Sequence, residues 1–156
     1  MLLYLDIDGV MVPANSWKRP EILSDGFPRF NGRAVDALNS ILIATGATIV
    51  LTTSHKHIYS IAEWRKIFQN RNIKYSQITR LPDDKNYLNR KEELLVHFNK
   101  HSLGENFVII DDDKSLNGLP FNLKDRLIQT SSGIGLTDEL AKIAIAKLTE
   151  IQLTPA

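Results

Sequence analysis

Three short runs of oxygen-bearing side chains stand out along the chain: Asp6-Ile7-Asp8-Gly9, Thr52-Thr53-Ser54 and Asp111-Asp112-Asp113. Each follows an apolar run. Each also has a plain structural explanation, because Asp and Gly favour turns after strands and Thr or Ser caps a following helix. Their conjunction points to chemistry. If the apolar runs are adjacent strands, Asp6 and Asp8 come close to Asp111 and Asp112 at one sheet edge. Carboxylates that close repel, so that one takes up a proton or a cation sits among them. Oxygen ligands suit a hard divalent ion. Magnesium binds one or two carboxylates, keeps several waters and reaches out to a phosphate, which fits this set. There is no Cys, and the His residues are not near the Asp runs in sequence, which disfavours zinc. Lys91 falls in the first turn of an expected helix, where the dipole is unfavourable to a cation unless an anion lies opposite; a solvated surface lysine is the alternative.

The elements that must position these residues alternate along the whole length, which argues for a parallel sheet covered by helices on both faces. Strands are expected over about 2 to 7, 47 to 52, 73 to 79, 106 to 111 and 126 to 130. Leu2-Leu3-Tyr4-Leu5, Ala47-Thr48-Ile49-Val50-Leu51 and Phe107-Val108-Ile109-Ile110 are nearly continuous apolar segments, as strands buried on two faces require. Helices are expected from Asn31 to Gly46, from about 55 to 69, from Asn89 with Glu92 three residues on, and from Thr137 through Ile151. In such a sheet ligands bind beyond the carboxyl ends of the strands, where the three polar runs fall. Residues 9 to 30, rich in Pro, Gly and Asn, show no sustained period and are expected to be a long loop, a lid or a hairpin.

A chain of 156 residues has the length of one domain, and the whole of 1–156 is expected to form one. Apolar residues at 43% and charged residues at 24% are close to globular averages, so that neither disorder nor a membrane protein is indicated. No apolar run is long enough for a membrane span, and MLLYLDIDG has no basic leader and does not read as a signal peptide. Without cysteines there is no disulfide framework, so a cytoplasmic setting is expected. A net charge of +1 names no partner.

Asp6-Ile7-Asp8-Gly9-Val10 resembles the DxDGV/T signature of the haloacid dehalogenase (HAD) superfamily, and with it the family's four motifs stand in the right order across nearly the whole chain. The resemblance implies a Rossmann-like α/β core, doubly wound around a mainly five-stranded parallel sheet, and a magnesium-dependent phosphatase. By that resemblance Asp6 is the nucleophile and Asp8 the general acid/base, which should hold its proton to higher pH than Asp6. Thr52 binds a phosphoryl oxygen, with Thr53 and Ser54 as substitutes. Lys91 is the cation of the third motif, with Arg90 as the alternative. Asp111 and Asp112 are metal ligands beside Asp6 and Asp8, Asp112 acting directly or through water. An Asp at position 8 fits the phosphatase or phosphotransferase branch, since the family's dehalogenases generally lack the second acid.

Superfamily members often carry a cap domain after the first motif or between the second and third; neither interval here has room for one. Capless members often act on large substrates such as polynucleotide ends, and the compact form with Leu51-Thr52-Thr53-Ser54-His55 is similar to small HAD proteins associated with RNA repair, although neither charge nor aromatic series supports nucleic-acid binding independently. Trp17, Lys18, Arg19, Phe27 and Arg29 are candidates for a substrate-facing flap, against the commoner arrangement in which loop aromatics fold back onto the core. His55 and His57 begin the expected second helix, His55 within reach of a substrate at Thr52. Two rival classes remain: a receiver-like signalling domain, whose acidic pair and phosphoacceptor come in a different order, and a catalytically silent HAD-like binding or assembly module.

Overall fold

A strand that is apolar at successive positions is buried stably only if both its faces are covered, and the structure, a computed structural model describing residues 1–14, 19–82, 88–100 and 105–150, covers them. Five strands, β1 (Leu2–Leu5), β2 (Thr48–Leu51), β3 (Ile78–Arg80), β4 (Phe107–Asp111) and β5 (Leu127–Gln129), form one sheet in the order β3-β2-β1-β4-β5. Every pairing is parallel, with Leu5 opposite Leu51 on one side and Ile110 on the other.

Alternate residues of each strand enter different cores. Leu3, Leu5, Ile49, Leu51, Val108 and Ile110 pack under α1 (Gly32–Thr45), α2 (Ile61–Gln69) and α5 (Asp138–Leu148). Tyr4, Val50 and Ile109 pack on the other face with Leu94 of α3 (Arg90–Lys100), Leu116 of a 3-10 helix (Lys114–Gly118) and Leu123 of α4 (Phe121–Lys124). The expected doubly wound α/β fold is therefore present, and among the described residues no cap domain interrupts it.

Local chemistry explains the element ends. Asn31 accepts from the N–H groups of Arg33 and Ala34 at the start of α1, and Gly46, at φ 65°, ends it with its N–H on the Leu42 carbonyl. At α3, Asn89 Oδ1 accepts from the Glu92 N–H at 2.9 Å, and its amide donates to Glu92 Oε1 at 2.8 Å.

Three expectations shift. The second helix begins at Ile61 rather than 55, because Ser60 and Glu63 form a capping box there and residues 53–59 are turns. The third strand is Ile78–Arg80 rather than 73 to 79: Ile73 is buried by packing after α2, not by strand pairing. The 3-10 helix and α4 between β4 and β5 were not expected.

Residues 19–30 are a pinned turn. Ile22 bridges Pro28 in antiparallel fashion, and the Leu23 N–H donates to the Phe27 carbonyl at 3.0 Å. Arg71, buried at the end of α2, grips the turn. It donates to Asp25 Oδ2 at 2.6 Å and Oδ1 at 3.0 Å, and to the carbonyls of Phe27 (2.7 Å) and Pro28 (2.9 Å). These bonds hold the Asp25 carboxyl well below the usual carboxylate range. Phe27 and Phe30 are buried in the core beneath the guanidinium. Phe27 is thus a core residue and not part of a flap, and Arg29 is an exposed partner of Glu21. Arg19 is exposed, while Trp17 and Lys18 lie outside the described residues.

Candidate active site

Strand register assembles the site. Because Leu5 lies opposite both Leu51 and Ile110, the next residue of each chain meets at the carboxyl edge of the sheet. The Asp6 N–H donates to the Ile110 carbonyl and the Thr52 N–H to the Leu5 carbonyl, both at 3.0 Å, so the ladder runs one step past the strands. This step brings Asp6, Thr52 and Asp111 together. Ligand-type oxygens of Asp6, Asp111 and Asp112 lie within 4.8 Å of one another. Asp6 is 5% exposed and Asp111 0%.

Asp112 owes its place to Gly9. At φ 78° Gly9 takes a left-handed conformation, and a Cβ there would fall 2.0 Å from Asp112 Oδ2. Thr130, at the end of β5, closes the same corner: its hydroxyl donates to the Gly9 carbonyl at 2.8 Å, and its N–H to the Asp111 carbonyl at 3.0 Å. Asp113 turns away. Its N–H donates to Asp111 Oδ1 at 3.0 Å while its carboxylate caps the 3-10 helix through the Ser115 N–H at 2.9 Å.

The cation at the cluster is Arg90. Its Nη1 lies 3.4 Å from Asp6 Oδ1 and donates to Asp111 Oδ2. Lys91, the first candidate from the sequence, runs over Gly118, where a Cβ would stand 2.8 Å from its Nζ. Consecutive residues of a helix point about 100° apart, so only one of the two can face the acids.

Electrostatics follow from this crowding. Burial, then the charge of Asp111, pushes the Asp6 carboxyl up to about 8, against the opposing pull of Arg90. Asp112 is raised by the same two causes, burial first. Burial disfavours the Arg90 charge, and Asp111 and Asp6 more than offset it. Three oxygens gathered at one edge, two of them on carboxyls held against ionisation, fit a hard divalent cation such as magnesium.

Thr52 is fully buried, and its hydroxyl has no hydrogen-bond partner among the described residues, a rare state for a buried polar atom and a vacancy that an incoming oxygen would fill. The substitutes are placed differently: Thr53 Oγ1 accepts from the His55 N–H at 3.3 Å, and Ser54 is exposed. Asp8, expected among the metal ligands, lies outside the three-acid group; its carboxylate is 61% exposed and meets His55 Nε2 at 3.1 Å.

Lys56 was not singled out from the sequence. It is 7% exposed, and its Nζ donates to Glu93 Oε2 at 2.9 Å, one helical turn beyond Arg90. Its carbonyl accepts from Trp64 Nε1 at 3.0 Å and Arg80 Nη1 at 2.8 Å. The pair ties the loop after β2 to α3, a link between distant segments that periodicity does not reveal. Thr130, also missed, was signalled only by its place at a strand end. Two surface cavities, of about 390 and 470 Å³, are lined by none of these residues.

The arrangement offers a buried carboxylate as nucleophile or metal ligand, an exposed second carboxyl two residues on, a fixed guanidinium and an unpaired hydroxyl. Comparison with curated proteins and with solved structures finds no match. The family model for the HAD domain in Swiss Army Knife RNA repair proteins matches residues 2–141, from β1 into α5. That span contains every residue of the cluster, and the chain belongs to this family of the HAD superfamily.

Proposed function

We propose that the protein is a magnesium-dependent phosphomonoester hydrolase working through an aspartyl-phosphate on Asp6. The observation that carries the reading is the convergence of Asp6, Asp111 and Asp112 at one sheet edge beneath Arg90. Family membership supports it, HAD domains being generally hydrolases.

In this mechanism an Asp6 oxygen attacks phosphorus in line, forming the carboxylate–phosphorus bond as the bond to the leaving oxygen breaks. Arg90 and the Thr52 hydroxyl donate to the phosphoryl oxygens, where charge accumulates. Asp8, standing clear of the buried acids, gives its proton to the departing alkoxide. It then accepts one from the water that attacks the phosphoryl group, releasing phosphate and restoring Asp6. Asp6, Asp111 and Asp112 would hold the magnesium, which when bound offsets charge on the phosphoryl oxygens and keeps Asp6 ionised.

With no cap over the described sheet edge, the site suits a bulky substrate, and the RNA repair context of the family favours a phosphorylated polynucleotide end. The test is phosphate release from p-nitrophenyl phosphate, nucleotides and 3′- or 5′-phosphorylated oligonucleotides, with and without magnesium, for wild type and Asp6→Asn. Magnesium-dependent release that falls by at least about 10³-fold in the variant is expected. Release unchanged in Asp6→Asn would remove the nucleophile, and no release from any substrate would leave a binding module.

A further inference from the structure

The loop after β2 places an imidazole on the carboxyl that the proposed reaction uses as its acid. His55 Nε2 lies 3.1 Å from Asp8 Oδ2, with the two side chains 41% and 61% exposed. Between groups that open, charge attraction contributes little to stability. What sets the contact apart is the support around His55, whose backbone is fixed on both sides and whose ring rests on a buried aromatic. The His55 N–H donates to Thr53 Oγ1 at 3.3 Å, and its carbonyl accepts from the Ile58 N–H at 3.0 Å. Its ring meets Phe27 edge to face, at 6.5 Å and 84°. Phe27 is itself locked: it packs against Tyr59 and Trp64, and Arg71 holds its carbonyl. The ring is thus backed by a fixed aromatic side chain and carries its Nε2 to Asp8.

We propose that His55 is a positioning residue for Asp8, its Nε2–H donating to Oδ2 and so turning Oδ1 toward the leaving oxygen. The role rests on the phosphomonoesterase reading above. An exposed carboxyl otherwise rotates, and only the fraction of molecules with the acidic proton aimed at the leaving group can deliver it. With Oδ2 engaged by a donor, the proton of the neutral acid resides on Oδ1. As the phosphorus–oxygen bond breaks, its electron pair goes to the leaving oxygen. That oxygen takes the proton from Oδ1, and Asp8 is left a carboxylate still accepting from His55. The same fixed oxygen then receives the proton of the attacking water.

Leaving-group dependence separates positioning from general support of the fold. The nitrophenolate leaving group needs little protonation, whereas an alkoxide needs it fully, so a defect confined to Asp8 affects alkyl phosphates most. His55→Ala is expected to lower kcat on glycerol 2-phosphate about tenfold or more and on p-nitrophenyl phosphate less than about threefold, with KM little changed. His55→Gln, which retains an N–H donor, restores part of the loss. In an Asp8→Asn background His55→Ala should add nothing further. In folded wild type, the ¹⁵N shifts of the neutral His55 ring should identify Nε2 as the protonated nitrogen, a readout independent of turnover. Equal losses on both substrates, losses additive with Asp8→Asn, or a proton on Nδ1 would overturn the proposal while leaving the phosphatase reading intact. Wild type inactive on both substrates would instead remove that reading, and this role with it.

Discussion

Asp6 is buried beside Asp111 with its carboxyl pushed up to about 8, and this has a consequence for stability. The ordinary value is 3.8, so between about pH 4 and pH 8 the folded chain binds more protons at this site than the unfolded one. The stabilisation is complete below about pH 4 and is lost as the pH rises through about 8. Without divalent metal, the Tm of the wild type should therefore fall between pH 5 and pH 8. Asp6→Asn, which cannot ionise, should be the more stable of the two at pH 8 by at least about 1 kcal/mol, or about 2–4 °C for a chain of this size. Scanning calorimetry of the two proteins across that range checks it; an Asn variant that melts lower at pH 8 would mean that repulsion does not dominate the site. Gly9 gives a second prediction at this scale. Gly9→Ala adds a Cβ into the Asp112 carboxylate and strains a positive φ, so magnesium affinity measured by calorimetry should fall about tenfold or more. The places of these residues divide sharply in how visible they were beforehand. Asp6, Thr52, Asp111 and Asp112 could be found because strand ends announce themselves through the apolar runs before them. Arg90 could not be separated from Lys91, because one residue of helical phase at a helix start leaves no trace in composition.

Among the elements, α3 carries Arg90 and the segment after β2 carries Thr52, and the Lys56–Glu93 ion pair couples them. Removing one partner of a buried pair strands the other charge, so Lys56→Ala should cost about 3 kcal/mol. Lys56→Met with Glu93→Leu should recover much of that stability in urea titrations, without recovering the placement of Arg90. On the proposed mechanism, kcat of the double variant would then stay low at near-normal stability. Ser60→Ala, which removes the cap of α2, should cost about 1 kcal/mol. The Ser60 and Glu63 spacing was the better start signal for α2 than His55 and His57, which instead lie in turns. The third strand was misplaced for a similar reason: a single buried isoleucine after a helix resembles the start of a strand. Nearly continuous apolar runs between helical segments identified the sheet as a whole, while the short 3-10 helix and α4, each with one buried leucine, fell below what periodicity detects.

For the whole molecule, the proposed metal links ion binding to proton release. A cation entering among Asp6, Asp111 and Asp112 must displace the proton that Asp6 holds, so magnesium should raise the Tm more at pH 8 than at pH 5, and its affinity should climb with pH up to about 8. A magnesium titration followed by thermal shift at both pH values measures this, and an equal shift at both would place the ion elsewhere. The fold class was legible throughout because α and β segments alternate from end to end; the turn at 19–30 was not, because its order comes from Arg71, some forty residues away in the chain. The sheet order itself bears on how the molecule is made. The first strand is the central one, and it aligns Leu2 with Thr48 on one side and with Phe107 on the other. In a nascent chain β1 therefore emerges before both of its partners, and the edge that faces β4 stays unpaired until β4 emerges. Contacts of such long sequence separation form slowly, so folding and the acquisition of the acidic cluster become the same late event, and an incomplete chain exposes an unpaired apolar strand without yet having a site.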